Sequence, residues 1–296
     1  MTTSSPAVKP KVLLDGLAMV ESPRWHDGRF WFAHWGTGEI RAVDLDGNSE
    51  LMGRGPEGLG WTIDWLPDGR LLITGKELVC MEPDGSAVRY ADLSGVGEGW
   101  NDIVVDGRGN VYLTNINFQF LAGKAPKAGM IVLVTPDGSA RQVAGDLAFP
   151  NGMVVTPDNS TLIISESFAG RLTAFDIDAE GSLSNRRVWA EGLAPDAICM
   201  DSDGAIWVGT PDTQRSAGSG DTLRGAVVRV RAGGEVLNRV DHDRPIFGCA
   251  LGGPDRRTLF LLASEWRGAD QVAAVVAART GQVLTAPAPA PGVGWP

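Results

Sequence analysis

GMVVTPDNSTLIISESFAGRLTAFDIDAEGSLSNRRVWAEGL, residues 152–193, is the stretch that decides the fold. It opens on an apolar run, GMVVT (152–156), turns at PDNS (157–160) and returns as LIISE (162–166). A third run, RLTAFDI (171–177), and a fourth, RRVWAEGL (186–193), follow after further turns. β-Branched and aromatic runs of this length, joined by Asp, Asn, Gly and Pro, read as antiparallel strands linked by hairpins. The plan recurs along the chain. Five more first runs are SPRW (22–25), TIDWL (62–66), DIVVD (102–106), AICMD (197–201) and GCALG (248–252). Their second runs are FWFAH (30–34), LLITG (71–75), VYLTN (111–115), IWVGT (206–210) and LFLLA (259–263). Third strands are expected at EIRAVD (39–44), LVCMEP (78–83), MIVLVTP (130–136), AVVRVR (226–231) and QVAAVVA (271–277). Shorter fourth strands are SELMGR, AVRYADL, ARQVAGDL and EVLNRV.

Six four-stranded units predict an all-β chain, a six-bladed β-propeller forming a single domain over residues 1–296. The blades fall near 18–54, 55–95, 96–147, 148–193, 194–243 and 244–287. The last has no evident fourth strand before its proline-rich tail, TAPAPAPGVGWP (285–296). KVLLDGL (11–17), in contrast, is a strand with no blade of its own, and it matches RRVWAEGL. It is expected to complete the last blade, because an unclosed sheet edge invites association with other chains.

Composition agrees. The 39 glycines and 18 prolines suit a turn-rich β protein, and 43% hydrophobic residues can fill a large core. Net charge is −10, which opposes binding to nucleic acid or an anionic membrane surface. No apolar run approaches the length of a transmembrane helix, and MTTSSPAVKPK lacks the apolar stretch of a signal peptide. Cys80, Cys199 and Cys249 are odd in number and widely spaced, so a reducing cytoplasm is expected, with Cys199 and Cys249 as packing residues. A monomer or weak homo-oligomer acting on a small molecule is the expected form. GxSxG and GxxxxGK[ST] are absent, which removes the main support for nucleophile-elbow and P-loop enzymes. The three histidines have neither HExxH nor CxxC company, against a nitrogen–sulfur zinc site.

In a propeller the first strand of every blade lines the central channel. Aligning the repeats on Trp25, Trp65, Val105, Val155, Met200 and Leu251, near the end of each first run, and counting back four gives Glu21, Trp61, Asn101, Asn151, Asp196 and Phe247. Four of these six carry side-chain oxygens where apolar residues would otherwise start a strand. Converging carboxylates and amides in a confined space need a compensating partner, and a divalent cation supplies one. Oxygen donors without His or Cys suit a hard cation, Ca2+ best, with Mn2+ or Mg2+ also suited and Zn2+ less usual. Taken singly, each such residue would read as a strand cap. Second-strand ends lie at the same mouth; His34, Asn115 and Glu166 are expected there as pocket wall or outer support. Trp61, Trp100 and Phe247 would give the pocket apolar faces.

At these residues the sequence resembles the family of gluconolactonases and regucalcin, the senescence marker protein. The resemblance runs from about Lys11 to about Ala278 and rests on ESPRW (21–25), NDIVVD (101–106), FPNGMVVTPD (149–158) and APDAICMDSDG (194–204). It implies a six-bladed propeller in which Glu21, Asn151 and Asp196 bind the metal and Asn101 contacts substrate or a metal-bound water. Sugar-lactone hydrolases of this type often carry arginine two residues before the residue matching Asn101; here that position is Gly99. The departure points away from a polyhydroxylated sugar lactone and toward substrates with alkyl or aryl substituents.

The expected function is metal-dependent opening of a lactone or related ester, with Asp196 accepting a proton from water and Asn101 orienting substrate or the oxyanion. The alternatives are phosphotriester hydrolysis or a non-hydrolytic step at the same site, or a calcium-binding propeller without catalysis.

Overall fold

The computed structural model describes residues 9–75, 77–82, 84–97, 99–211 and 224–294. They form six four-stranded antiparallel sheets arranged as a six-bladed β-propeller. Blade 6 takes its outermost strand from the N-terminus, β1 (Lys11–Leu17). Blade 1 contains β2 (Val20–His26), β3 (Arg29–His34), β4 (Glu39–Val43) and β5 (Ser49–Arg54). Blade 2 contains β6 (Ile63–Trp65), β7 (Leu71–Ile73), β8 (Leu78–Met81) and β9 (Ala87–Ala91). Blade 3 contains β10 (Trp100–Val105), β11 (Val111–Asn115), β12 (Gly129–Val134) and β13 (Ala140–Leu147). Blade 4 contains β14 (Pro150–Val155), β15 (Thr161–Glu166), β16 (Arg171–Ile177) and β17 (Leu183–Glu191). Blade 5 contains β18 (Ile198–Met200), β19 (Ile206–Pro211), β20 (Gly225–Val230) and β21 (Val236–His242). Blade 6 begins with β22 (Ile246–Gly252) and β23 (Thr258–Ala263).

The Asp/Gly turns set the hairpins. Asp44 Oδ1 accepts from the N–H groups of Asp46 and Asn48, and Asp106 Oδ1 from those of Arg108 and Asn110, each at 2.9 Å. A short carboxylate that satisfies two turn N–H groups makes the reversal independent of distant packing. Between blades the sheets bury both faces, which is why the inner strands read as unbroken apolar runs. Phe260 of blade 6, for example, stacks on Phe30 and Trp25 of blade 1, with ring centroids 4.6 and 5.4 Å apart.

Blade 6 departs from the sequence-based expectation in one respect. Residues 271–277, expected as its third strand, belong instead to a 3-10 turn and the helix α1 (Val272–Ala278); the third strand is β24 (Gly281–Pro287). An apolar run this short does not distinguish strand from helix by pattern, and Val272, Val275 and Val276 share helical spacing. Val275 is buried with Met19 and Phe247. The closing strand is where the sequence placed it: β1 pairs with β24 from Lys11 opposite Thr285 to Leu17 opposite Gly281. Cys80, Cys199 and Cys249 are free and buried, the last two with Sγ atoms 3.8 Å apart. No described helix is long and apolar enough to cross a membrane.

Candidate functional site

A cavity of about 1600 Å3 opens where the first strands begin. All six residues of the aligned ring line it, as does Trp100. The backbone explains how strand residues come to face a channel mouth. β2 slips register between Glu21 and Arg24, β10 between Trp100 and Ile103, and β14 between Pro150 and Met153. A bulge of this kind re-aims a side chain and interrupts the ladder. Two residues before Glu21, Asn101 and Asn151 the chain turns through a left-handed conformation, at Met19 (φ 49°), Gly99 (φ 78°) and Phe149 (φ 58°). Such a φ is uncommon at a residue other than glycine. Asp196 precedes β18 and is fixed by its N–H donating to the Gly209 carbonyl at 2.9 Å.

The polar groups interlock. Asn151 Nδ2 donates to Asp196 Oδ1 at 2.6 Å and to Ser167 Oγ at 3.3 Å, and Ser167 Oγ donates to the Pro195 carbonyl at 2.7 Å. Asn101 Nδ2 donates to the Pro150 carbonyl at 3.1 Å. With both amide nitrogens engaged by protein, the amide oxygens are the atoms left to face the cavity. Burial lifts the Glu21 carboxyl well above the usual range, and the Asp196 charge adds to it. Burial pushes Asp196 up to about 8, with the Asn151 amide opposing and the Asp102 charge adding.

Two carboxylates that destabilise one another, Glu21 buried and Asp196 partly buried, flanked by amide oxygens, are a donor set that fits a hard divalent cation. Among the described residues no three His, Cys, Asp or Glu side chains converge as a metal site. A cation held here would have Glu21 and Asp196 as charged donors and Asn151 as a neutral one, with Asn101 beside them.

The three residues expected as pocket wall or outer support, His34, Asn115 and Glu166, are not among the residues that line the cavity. All three are buried: His34 and Glu166 anchor the turns leading into first strands, and Asn115 the turn that leaves the second strand of blade 3. His34 Nε2 accepts from the Ala18 N–H at 2.8 Å, and burial lowers its pKa. Glu166 accepts from the equivalent Ala148 N–H at 2.9 Å, and from Thr173, Arg171 and Arg186. Burial would raise Glu166, yet these donors hold its carboxyl below the usual range. Asn115 Oδ1 accepts from the Asn117 N–H at 2.7 Å. Their side chains turn inward from the strand end because the loop N–H groups need acceptors.

Trp61 and Trp100 line the cavity with only an edge, since Trp61 is 1% exposed between blades 1 and 2 and Trp100 packs in the core of blades 2 and 3. The larger aromatic surface comes from residues the sequence did not single out: Phe118, Phe120, Phe149, Phe168 and Trp266. At Gly99 a Cβ would stand 2.8 Å from the Phe118 carbonyl and 2.9 Å from Ile116 Cγ1. The position that carries arginine in sugar-lactone hydrolases of this type is here closed by neighbouring chain.

A family model described as SMP-30/Gluconolactonase/LRE-like region matches residues 19–265. A 6-deoxy-6-sulfogluconolactonase of Pseudomonas putida is 28% identical over 152 residues, 49% of this chain and 48% of that protein. Diisopropyl-fluorophosphatase of Loligo vulgaris is 28% identical over 199 residues, 58% of this chain and 62% of that one. The match thus spans about half of the first relative and under two thirds of the second. Among solved structures, the calcium-binding protein regucalcin from Agrobacterium tumefaciens superposes with a TM-score of 0.72 at 19% identity. That superposition covers 96% of this chain and 97% of the other.

Proposed function

The chain belongs to the SMP-30/gluconolactonase/LRE-like family, and from that premise we propose that it is a divalent-metal-dependent hydrolase that opens a lactone or related ester. The observation that carries this is the convergence of Glu21, Asn101, Asn151 and Asp196 at one cavity, two carboxylates with two amides and no histidine among its described lining. Glu21, Asn151 and Asp196 would hold the cation, calcium being the best match to the donors. A bound divalent cation would supply Lewis acidity to a substrate carbonyl and to water.

The remaining work falls to the chain. Asp196 takes a proton from the attacking water onto a carboxylate oxygen. Asn151, donating to the other oxygen, holds that carboxylate in one orientation. Asn101, fixed by its bond to the Pro150 carbonyl, orients the substrate carbonyl and the oxyanion that develops from it. No seryl or cysteinyl nucleophile is needed. Gly99 leaves no guanidinium to bind sugar hydroxyls, so substrates with apolar substituents are preferred over gluconolactone.

A second reading, phosphotriester hydrolysis at the same donors, is supported by the diisopropyl-fluorophosphatase relative. The test is a panel of lactones, carboxylic esters and a phosphotriester, assayed with chelator-stripped and metal-reloaded protein. Metal-restored turnover of lactones or esters is the expected result. Turnover of the phosphotriester alone would favour the second reading, and metal binding without turnover would leave a non-catalytic propeller.

A further inference from the structure

Two loops reach across the cavity from opposite sides of the ring. In blades 1 and 4 the second and third strands are joined by the short segments 35–38 and 167–170. In blades 3 and 6 the corresponding segments are long, 116–128 and 264–280, and each carries a helical turn. Blades 3 and 6 stand three apart in a ring of six. Their loops nevertheless meet, with the rings of Phe120 and Trp266 nearly parallel at 13° and 6.4 Å between centroids.

This contact joins a continuous aromatic array. Phe247 packs edge-on against Trp266 at 6.1 Å, Phe120 edge-on against Phe149 at 5.1 Å, and Phe149 stacks on Phe168 at 4.4 Å. All five line the cavity that holds Glu21, Asn101, Asn151 and Asp196. Phe120, Phe149 and Trp266 stay partly exposed and Phe168 is 52% exposed. Single exposed aromatics are ordinary; a connected set lining the same cavity as a polar cluster is what a ligand-binding wall looks like. The charged side chains among the described lining residues are Glu21, Glu57, Glu77 and Asp196, all carboxylates. Such a lining disfavours an anionic substituent away from the cation.

We propose that the Phe120–Trp266 strap is a specificity device that selects a neutral substrate bearing a flat aryl group, seated against Phe149, Phe120 and Trp266 with its carbonyl toward Asn101 and Asp196. Aryl rings gain edge and stacking contacts from such a wall that a saturated ring of equal area does not. The proposal rests on the hydrolase reading for its substrate, while the seating of the ring is measurable without turnover.

The experiment compares an aryl ester with its cyclohexyl counterpart on wild type, Phe120→Leu, Trp266→Leu and Trp266→Phe, all metal-loaded. In parallel, calorimetry on the same proteins reads binding of methyl phenyl ketone, which cannot be hydrolysed, against methyl cyclohexyl ketone. The expected result is an aryl preference that falls about 5-fold in each Leu variant, mainly through KM, and recovers in Trp266→Phe. The ratio of two substrates in one preparation is insensitive to any loss of folded protein. Aryl-selective ketone binding lost in the Leu variants, with no turnover of these esters or of the lactone and phosphotriester panel, upholds the subsite and defeats the hydrolase reading. An aryl-to-cyclohexyl ratio near one in wild type, or one that the Leu variants leave unchanged, overturns the proposal.

Discussion

Replacing Arg24 with methionine tests how the floor of the site is held. Arg24 follows the bulge that aims Glu21, is 4% exposed, and ties three blades together. Its Nη2 donates to Asp102 Oδ1 at 3.1 Å and to the Ile103 carbonyl at 2.7 Å in blade 3. Its Nη1 donates to the Pro23 carbonyl at 3.0 Å, and its Nε stands 3.8 Å from Asp64 Oδ1 in blade 2. Methionine fills much of the volume and removes the charge, leaving Asp102 buried without its cation. Breaking a buried pair by removing one partner costs about 3–5 kcal/mol. Asp64 adds little to that figure, because it keeps the Trp65 and Val105 N–H donors at 2.9 and 2.8 Å. At roughly 2 °C per kcal/mol for a large domain, Tm should fall by on the order of 6–10 °C. Calorimetric melting and urea titration of Arg24→Met measure this. A second variant, Arg24→Met with Asp102→Leu, removes both partners and should recover part of the loss. Full recovery is not expected, because the unpaired Ile103 carbonyl retains a cost of about 1–3 kcal/mol. Arg24→Met melting within about 2 °C of wild type would refute the idea that this pair joins the blades.

Deleting residues 1–17 leaves β24 as an open edge and exposes the apolar surface that Leu17 covers beside Phe30 and Phe260; we expect a lower Tm and concentration-dependent association, read by calorimetry and light scattering. A truncated protein that stays monomeric with unchanged Tm would sink this. Elemental analysis after loading should find about one divalent cation per chain in wild type and its loss in Asp196→Ala; wild type that retains no calcium, manganese or zinc contradicts the donor assignment. Gly99→Arg should destabilise the fold rather than confer gluconolactonase activity, because the position has φ 78° and a Cβ there meets the Phe118 carbonyl. A soluble Gly99→Arg variant with wild-type Tm would show that the loop yields.

How much of this could be read from the chain depends on how local the cause is. The hairpins were legible because turns such as DLDG at 44–47 carry their own acceptor, the Asp44 carboxylate. The closing strand was legible because KVLLDGL had no partner nearby in sequence. The ring emerged from alignment alone, yet the bulges that turn Glu21, Asn101 and Asn151 into the channel leave no mark in a strand pattern. Whether His34 and Glu166 form the pocket wall or support it from outside was not legible: the sequence shows a polar residue at a strand end, while the Ala18 and Ala148 N–H groups that claim those side chains are known only from the folded turn. The strap was invisible for two reasons. Its halves lie in blades 3 and 6, and the blade 6 half adjoins the stretch expected as a strand.

The pairing of β1 with β24 also has a consequence in time. The ribosome makes β1 among the first strands, but its partner is completed only after every other blade has been made. At about 5–20 residues per second, that interval is on the order of tens of seconds. Throughout it, Val12, Leu14 and Leu17 belong to a strand with nowhere to dock. Blades 1 to 5 can be assembled from neighbouring hairpins as they emerge, whereas the last sheet must await the longest-range contact in the chain. The nascent ring is therefore most open to pairing with a second copy once β24 has been made, when β24 presents an edge and the chain's own β1 competes with that of a neighbour.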